Sequence, residues 1–158
     1  MPVLISSCLL GIECRYDGAH SRVDEIVKKA RELHLLPVCP EQLGGLPTPR
    51  LPSNMVRGDG QGVLAGVARV VNTAGEDVTT AFLKGARETL SLAEVTGATK
   101  AFLRKGSPSC GLTTSYCETH SGYGVGVTAA LLLKAGIEII EIDPDEISED
   151  FIKNLRAQ

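Results

Sequence analysis

Cys8, Cys39 and Cys110 are the residues of this 158-residue chain whose type and setting could carry chemistry. Each lies in or beside a Gly, Pro or Ser stretch, as in Val38-Cys39-Pro40-Glu41 and Gly106-Ser107-Pro108-Ser109-Cys110-Gly111, rather than inside an apolar stripe. A single free cysteine is by default a small buried hydrophobe, yet a residue that only packs has no need of such neighbours. Three thiolates with no evident fourth suit an iron-sulfur cluster that leaves one iron open as a Lewis acid for substrate. Zinc is the second metal to weigh. A structural zinc prefers four ligands with local pairs such as C-x2-C, whereas Cys14 lies six residues after Cys8 and Cys117 seven after Cys110. Either could be a fourth ligand, but both stand in more polar surroundings and read as spare thiols. A thiol redox pair made from Cys8 and Cys14, or Cys110 and Cys117, is weakened by the missing C-x-x-C.

Glu41, two residues after Cys39, and Ser107, three before Cys110, bring a carboxylate and a hydroxyl to the same neighbourhood, suited to proton transfer. On local sequence alone they are a surface carboxylate and a turn serine. Arg50, in Pro47-Thr48-Pro49-Arg50, offers a planar fork to a substrate carbonyl or anion, and is otherwise a solvated loop arginine. His20, His34 and His120 show no spacing of a metal site or triad, and His34 reads as a partner of a helix dipole.

Convergence of residues so far apart requires particular elements. Val3 to Ser7 reads as a strand feeding a loop over Leu9 to Ala19. Val23, Ile26, Val27, Ala30 and Leu33 recur at helical spacing, predicting a helix over Ser21 to His34 with Ser21 or Asp24 near its start. Leu35 to Cys39 is a second strand, in which Pro37 fits a strand start or an edge. Pro40 to Gly62, rich in Pro and Gly, reads as a long ordered loop covering the site. Val67 to Thr73 predicts a strand, Thr79 to Thr96 a long amphipathic helix ended by Gly97, and Thr99 to Leu103 a strand. Gly106 to Gly126 is a Gly-rich loop, Val127 to Ala135 a helix, Ile137 to Ile142 the final strand, and Asp145 to Ala157 a short charged helix.

Such alternation predicts a single domain spanning 1–158, α/β and Rossmann-like, with a mainly parallel sheet and helices on both faces. Cys8, Cys39 and Cys110 then all fall at the C-terminal edge of the sheet, where open α/β sheets bind ligands near a switch in strand order. No G-x-G-x-x-G follows the first strand, which disfavours a dinucleotide.

The composition narrows the partners. A net charge of -3 leaves no basic excess for nucleic-acid phosphates, and a 4% aromatic content argues against a base-stacking platform. No apolar run approaches the roughly 20 residues of a membrane span, and the N-terminus lacks the features of a signal peptide. The expected location is the cytoplasm; five cysteines, an odd number, cannot all pair within the chain, and a reducing cytoplasm would keep most of them as thiols.

Ser7-Cys8-Leu9-Leu10-Gly11, Cys14-Arg15-Tyr16-Asp17-Gly18, the run from Cys39 to Arg50 and Lys105-Gly106-Ser107-Pro108-Ser109-Cys110-Gly111 together resemble the domain of unknown function 523 family, which includes thiouracil desulfidases. The resemblance runs over nearly the whole chain. It implies a [4Fe-4S] cluster held at Cys8, Cys39 and Cys110, its fourth iron free to bind the sulfur of a small-molecule thio-base. It also implies Glu41 and Ser107 as the catalytic carboxylate and hydroxyl, with Ser7, Arg50 and Ser109 binding substrate. Water would replace sulfur at the ring carbon without net redox change, giving uracil and sulfide from 2-thiouracil. The C-terminal domain that accompanies some relatives is expected to be absent. The competing expectation is a protein that holds a cluster or persulfide without turnover.

Overall fold

Along the chain, β1 (Val3–Ser6) leads through a 3-10 turn (Ser7–Leu10) and α1 (Asp24–Lys29) to β2 (Leu35–Val38) in the computed structural model, which describes residues 1–156. Next come α2 (Pro40–Leu43), β3 (Ser53–Val56), α3 (Gly60–Leu64) and β4 (Arg69–Asn72). The remainder is α4 (Thr79–Thr96), β5 (Lys100–Arg104), α5 (Val127–Lys134), β6 (Glu138–Ile142) and α6 (Glu149–Arg156). The main sheet is parallel throughout, in the order β2-β1-β5-β6. The fold is thus the expected Rossmann-like α/β arrangement.

Side chains alternate across the sheet as a pleat requires. Leu4, Ala101 and Leu103 enter one buried cluster with Ala93, Ala129 and Leu132 of α4 and α5, whereas Val3, Ile5, Phe102 and Ile142 enter another with Ile26 and Leu155. Helices therefore cover both faces. All four residues of β1 are buried, as an inner parallel strand demands. Pro37 is exposed on β2, an edge strand, where its missing N–H costs no ladder bond. The chain passes from β1 to β2 on one side and returns to β5 on the other, so strand order switches at β1.

Four expected elements differ. The helix expected over Ser21 to His34 is confined to Asp24–Lys29. Ser21 and Val23 donate their amides to the Cys8 and Leu9 carbonyls (both 2.9 Å), which pins 21–23 along the 3-10 turn. Ser21 consequently does not cap the helix; its hydroxyl accepts from Arg104 Nε (2.9 Å) and an Arg15 Nη (3.1 Å). His34 lies beyond the helix in a left-handed conformation, φ 49°, its carbonyl accepting from Val3, so it is no dipole partner.

The segment Pro40 to Gly62 is not one loop: it holds α2, β3 and the start of α3. β3 pairs antiparallel with β4 as a separate two-stranded sheet, so the strand expected at Val67 to Thr73 lies outside the parallel sheet. The hairpin packs through Met55 and Val70 on Val63, Phe82 and Val127. The last helix begins at Glu149 rather than Asp145, and Ala157 lies outside the described residues. By contrast α4 has the expected bounds, and Gly97 ends it at φ 73°.

Candidate active site

The C-terminal ends of β1, β2 and β5 open into one cavity of about 280 Å³. The 3-10 turn sets Ser7 and Cys8 on its wall, and Gly11 closes that turn at φ 94°. Cys39 is the N-cap of α2, with Pro40 at the first helical position and Glu41 one residue further into the wall. Cys110 comes from the loop after β5. Ser107 Oγ accepts amide hydrogen bonds from Ser109 (3.2 Å) and Cys110 (3.0 Å), a tight turn that orients the cysteine. The carbonyls of Pro108 and Ser109 accept from Val127 and Ala129 (both 3.0 Å), so this turn also satisfies first-turn donors of α5, which has no side-chain cap.

Cys8, Cys39, Cys110, Glu41, Ser107, Ser7, Arg50 and Ser109 all line this cavity. Arg50 is no solvated loop residue. Its side chain is 6% exposed; Nε donates to Glu41 Oε1 (3.0 Å) and one Nη to the Cys14 carbonyl (2.8 Å). The other Glu41 oxygen, Oε2, accepts from Ser109 Oγ (3.0 Å), and Ser109 Oγ lies 3.0 Å from Ser107 Oγ. Because a carboxylate only accepts, the Ser109 proton points to Glu41. Ser107, which already accepts two amides, then donates to Ser109. The result is a directed chain, Ser107 to Ser109 to Glu41, with Arg50 at its far end.

Two thiols expected to stand in polar surroundings are buried. Cys117, 7% exposed, packs with Met55 and Val127, donates to the Thr114 carbonyl (3.4 Å) and does not line the cavity. Cys14, 3% exposed, does line it, packed with Cys8 and Cys39. The polar neighbours Glu13 and Arg15 concealed this, although Cys14 opens one of the motifs that carried the resemblance. The lining also includes Ser6, Arg15, Tyr16, Arg104, Lys105 and Tyr116, none singled out as site residues from the sequence.

The thiols are weak acids here. Burial pushes Cys110 up to about 12. Cys14 stands at about 11: the Cys39 thiol beside it acts to lower it, but is outweighed by the Cys8 thiol and burial together. Cys39 is also raised, first by its hydrogen bond with Cys14 and then by burial. Binding a metal therefore has to displace protons from these sulfurs. Among the described residues, no three His, Cys, Asp or Glu side chains converge as ligands of a single ion. A structural zinc needs such convergence. An iron-sulfur cluster spreads its thiolates over separate irons, and thiols drawn from three strand ends around one cavity fit that donor set.

The family profile described as 2-thiouracil desulfurase matches residues 3–143. The chain is 46% identical over 141 residues to the uncharacterized protein YbbK of Bacillus subtilis (strain 168), over 87% of this chain and 93% of that protein. Its structure is similar to that of the [4Fe-4S]-dependent thiouracil desulfidase TudS (DUF523Vcz), with a TM-score of 0.77 and 34% identity, over 99% of this chain and 95% of that one.

Proposed function

The chain belongs to the 2-thiouracil desulfurase family, and from that premise we propose that it is a [4Fe-4S]-dependent, non-redox desulfidase that converts a thiolated nucleobase such as 2-thiouracil to uracil and sulfide. The observation that carries the reading is the joint presence, in one cavity, of the thiols of Cys8, Cys39 and Cys110 and a hydrogen-bonded acid-base chain.

Cys8, Cys39 and Cys110 would hold the cluster, in keeping with their places at the ends of β1 and β2 and after β5. When bound, the cluster supplies a Lewis acid for the substrate's sulfur and a destination for the leaving sulfide. The chain's own residues supply the proton traffic. Glu41 accepts a proton from the attacking water, with Arg50 against its other oxygen to hold its orientation. Ser109 and Ser107 carry protons between Glu41 and the reacting base by shifting along the same hydrogen bonds. Ser7 and Arg50 orient the base. Water oxygen replaces sulfur at carbon, two protons leave with the sulfide, and no electron is gained or lost.

Anaerobic purification and reconstitution with iron and sulfide tests this. The expected wild type binds about four irons per chain and releases sulfide from 2-thiouracil; Cys110→Ala does neither; Glu41→Gln keeps its iron and loses turnover. A wild type that takes up no cluster, or turns over equally well without one, sinks the proposal.

A further inference from the structure

We propose that Tyr16 and Tyr116 form an aromatic clamp at the mouth of the cavity that holds the substrate ring by its faces, so that the site selects flat, unsaturated thio-bases over puckered or open-chain thiocarbonyl compounds; this rests on the thio-base reading above. Both tyrosines line the cavity while standing 37% and 43% exposed. Other groups of the same lining, Ser6, Ser7, Cys8, Ser109 and Cys110, are buried. A ligand therefore passes the two phenols to reach the hydroxyls and thiols. The chain has three phenylalanines, three tyrosines and no tryptophan. Phe82 and Phe102 are buried, and Phe151 packs edge-on against Phe102 with 5.8 Å between ring centres. Two of the three tyrosines thus stand at one mouth, and Tyr123, the third, is exposed and does not line the cavity.

The two tyrosines come from the loops after β1 and β5, and the stretch from Arg50 to Met55 ties their backbones together. The Arg50 amide donates to the Tyr16 carbonyl at 2.8 Å, and the Met55 amide to the Tyr116 carbonyl at 2.9 Å. Pro52 and Ser53, between these anchors, also line the cavity. The Tyr116 amide donates in turn to Thr114 Oγ1 at 3.1 Å. The Arg15 guanidinium, bonded to Ser21 (3.1 Å) and Asp17 (3.2 Å), lies over the Tyr16 ring at 6.0 Å, which steadies that ring and leaves its other face to a ligand. Stacking uses the π-face of a base and tolerates different substituents, so it leaves the polar edge to Ser7 and Arg50. The low aromatic content rules out a platform for successive bases, but a single ring needs only one pair of aromatic faces.

The test compares two sulfur-free ligands, uracil and 5,6-dihydrouracil, which share their carbonyl and N–H edges but differ in ring planarity. Their dissociation constants are measured by anaerobic calorimetry on the reconstituted protein. Wild type is expected to bind uracil at least about tenfold more tightly, the scale of one base stacked on an aromatic side chain. Tyr16→Leu and Tyr116→Leu should each lose most of that preference and raise KM for 2-thiouracil more than they lower kcat. Tyr16→Phe and Tyr116→Phe keep the ring face and should keep the preference, and Tyr123→Leu should match wild type. A merely structural role would not separate the two ligands in this way. A wild type with no preference for uracil, or Tyr16→Leu and Tyr116→Leu proteins that retain it, overturns the clamp; sulfide release from 2-thiouracil by the same wild type leaves the desulfidase reading standing. A wild type that binds neither ligand and releases no sulfide overturns both.

Discussion

Ser109 carries a testable directionality, because its hydroxyl links Ser107 to Glu41. Ser109→Ala should lower kcat by about 10²–10⁴-fold, the usual scale of an acid-base contribution, while iron content and thermal stability stay near wild type. Ser109→Thr keeps a hydroxyl and should recover much of the loss. A variant that loses iron rather than kcat would make Ser109 a packing residue. The thiols predict a pH effect of defined sign. A group raised in the fold contributes stability that is whole below its unfolded value and is lost as pH climbs through its folded value. For cluster-free protein the window runs from the ordinary thiol value of 9.0 up to about 11 for Cys14 and about 12 for Cys110. Urea midpoints under reducing conditions should fall between pH 8 and pH 10.5, and fall less in Cys14→Ala; parallel profiles for the two proteins would refute this. At this scale the sequence marked the three loop cysteines by their Pro, Gly and Ser neighbours, and Glu41 by its place two residues after Cys39. It concealed Cys14, because Arg50, 36 residues away, holds that segment against the cavity.

At the scale of elements, the position of Glu41 depends on how closely α2 crosses α4. Gly44 and Gly85 make the crossing: a Cβ on Gly44 would strike the Ala81 carbonyl, and one on Gly85 the Pro40 carbonyl. Both obstacles are backbone, so no side-chain rotation relieves them. Gly85→Ala should cost about 1–3 kcal/mol, the range for overpacking, and should reduce turnover by tilting α2 with Cys39 and Glu41. Gly97→Ala forms the contrast. It burdens a left-handed cap at the far end of α4, φ 73°, and should cost about 1 kcal/mol with kcat unchanged. Equal effects of the two on kcat would refute the link between the crossing and the site. The helix α4 was legible because its 18 residues keep one amphipathic period and end in Gly97. The α2 helix and β3 have four residues each, too few to display a period within a Pro- and Gly-rich stretch, whereas β4 falls inside the strand expected at Val67 to Thr73 and only its antiparallel pairing was hidden. Their order comes from Met55 and Val70 meeting Phe82 and Val127, contacts that no local window contains.

For the whole molecule, the question is whether the site supports the fold or the fold the site. Small metal domains unfold without their metal because ligation supplies most of their folding energy. Here each face of the parallel sheet has its own apolar core, one around Leu4, Leu103 and Leu132 and one around Ile5, Ile26 and Phe102, and a third core sits under the hairpin. The proposed ligands add little to these cores, which are built mainly of aliphatic and aromatic side chains, and sit on the 3-10 turn, the cap of α2 and the loop before α5. Removing the cluster should therefore leave the far-UV circular dichroism of helix and sheet in place while lowering Tm, since a group that binds only the folded state adds its binding free energy to stability. Amide exchange should quicken in 7–15 and 106–111, with β1 and β5 still protected. Loss of the helical signal on chelation would mean that the cluster builds the fold, and that the strand-end thiols are structural ligands instead of a site the sheet presents ready-made.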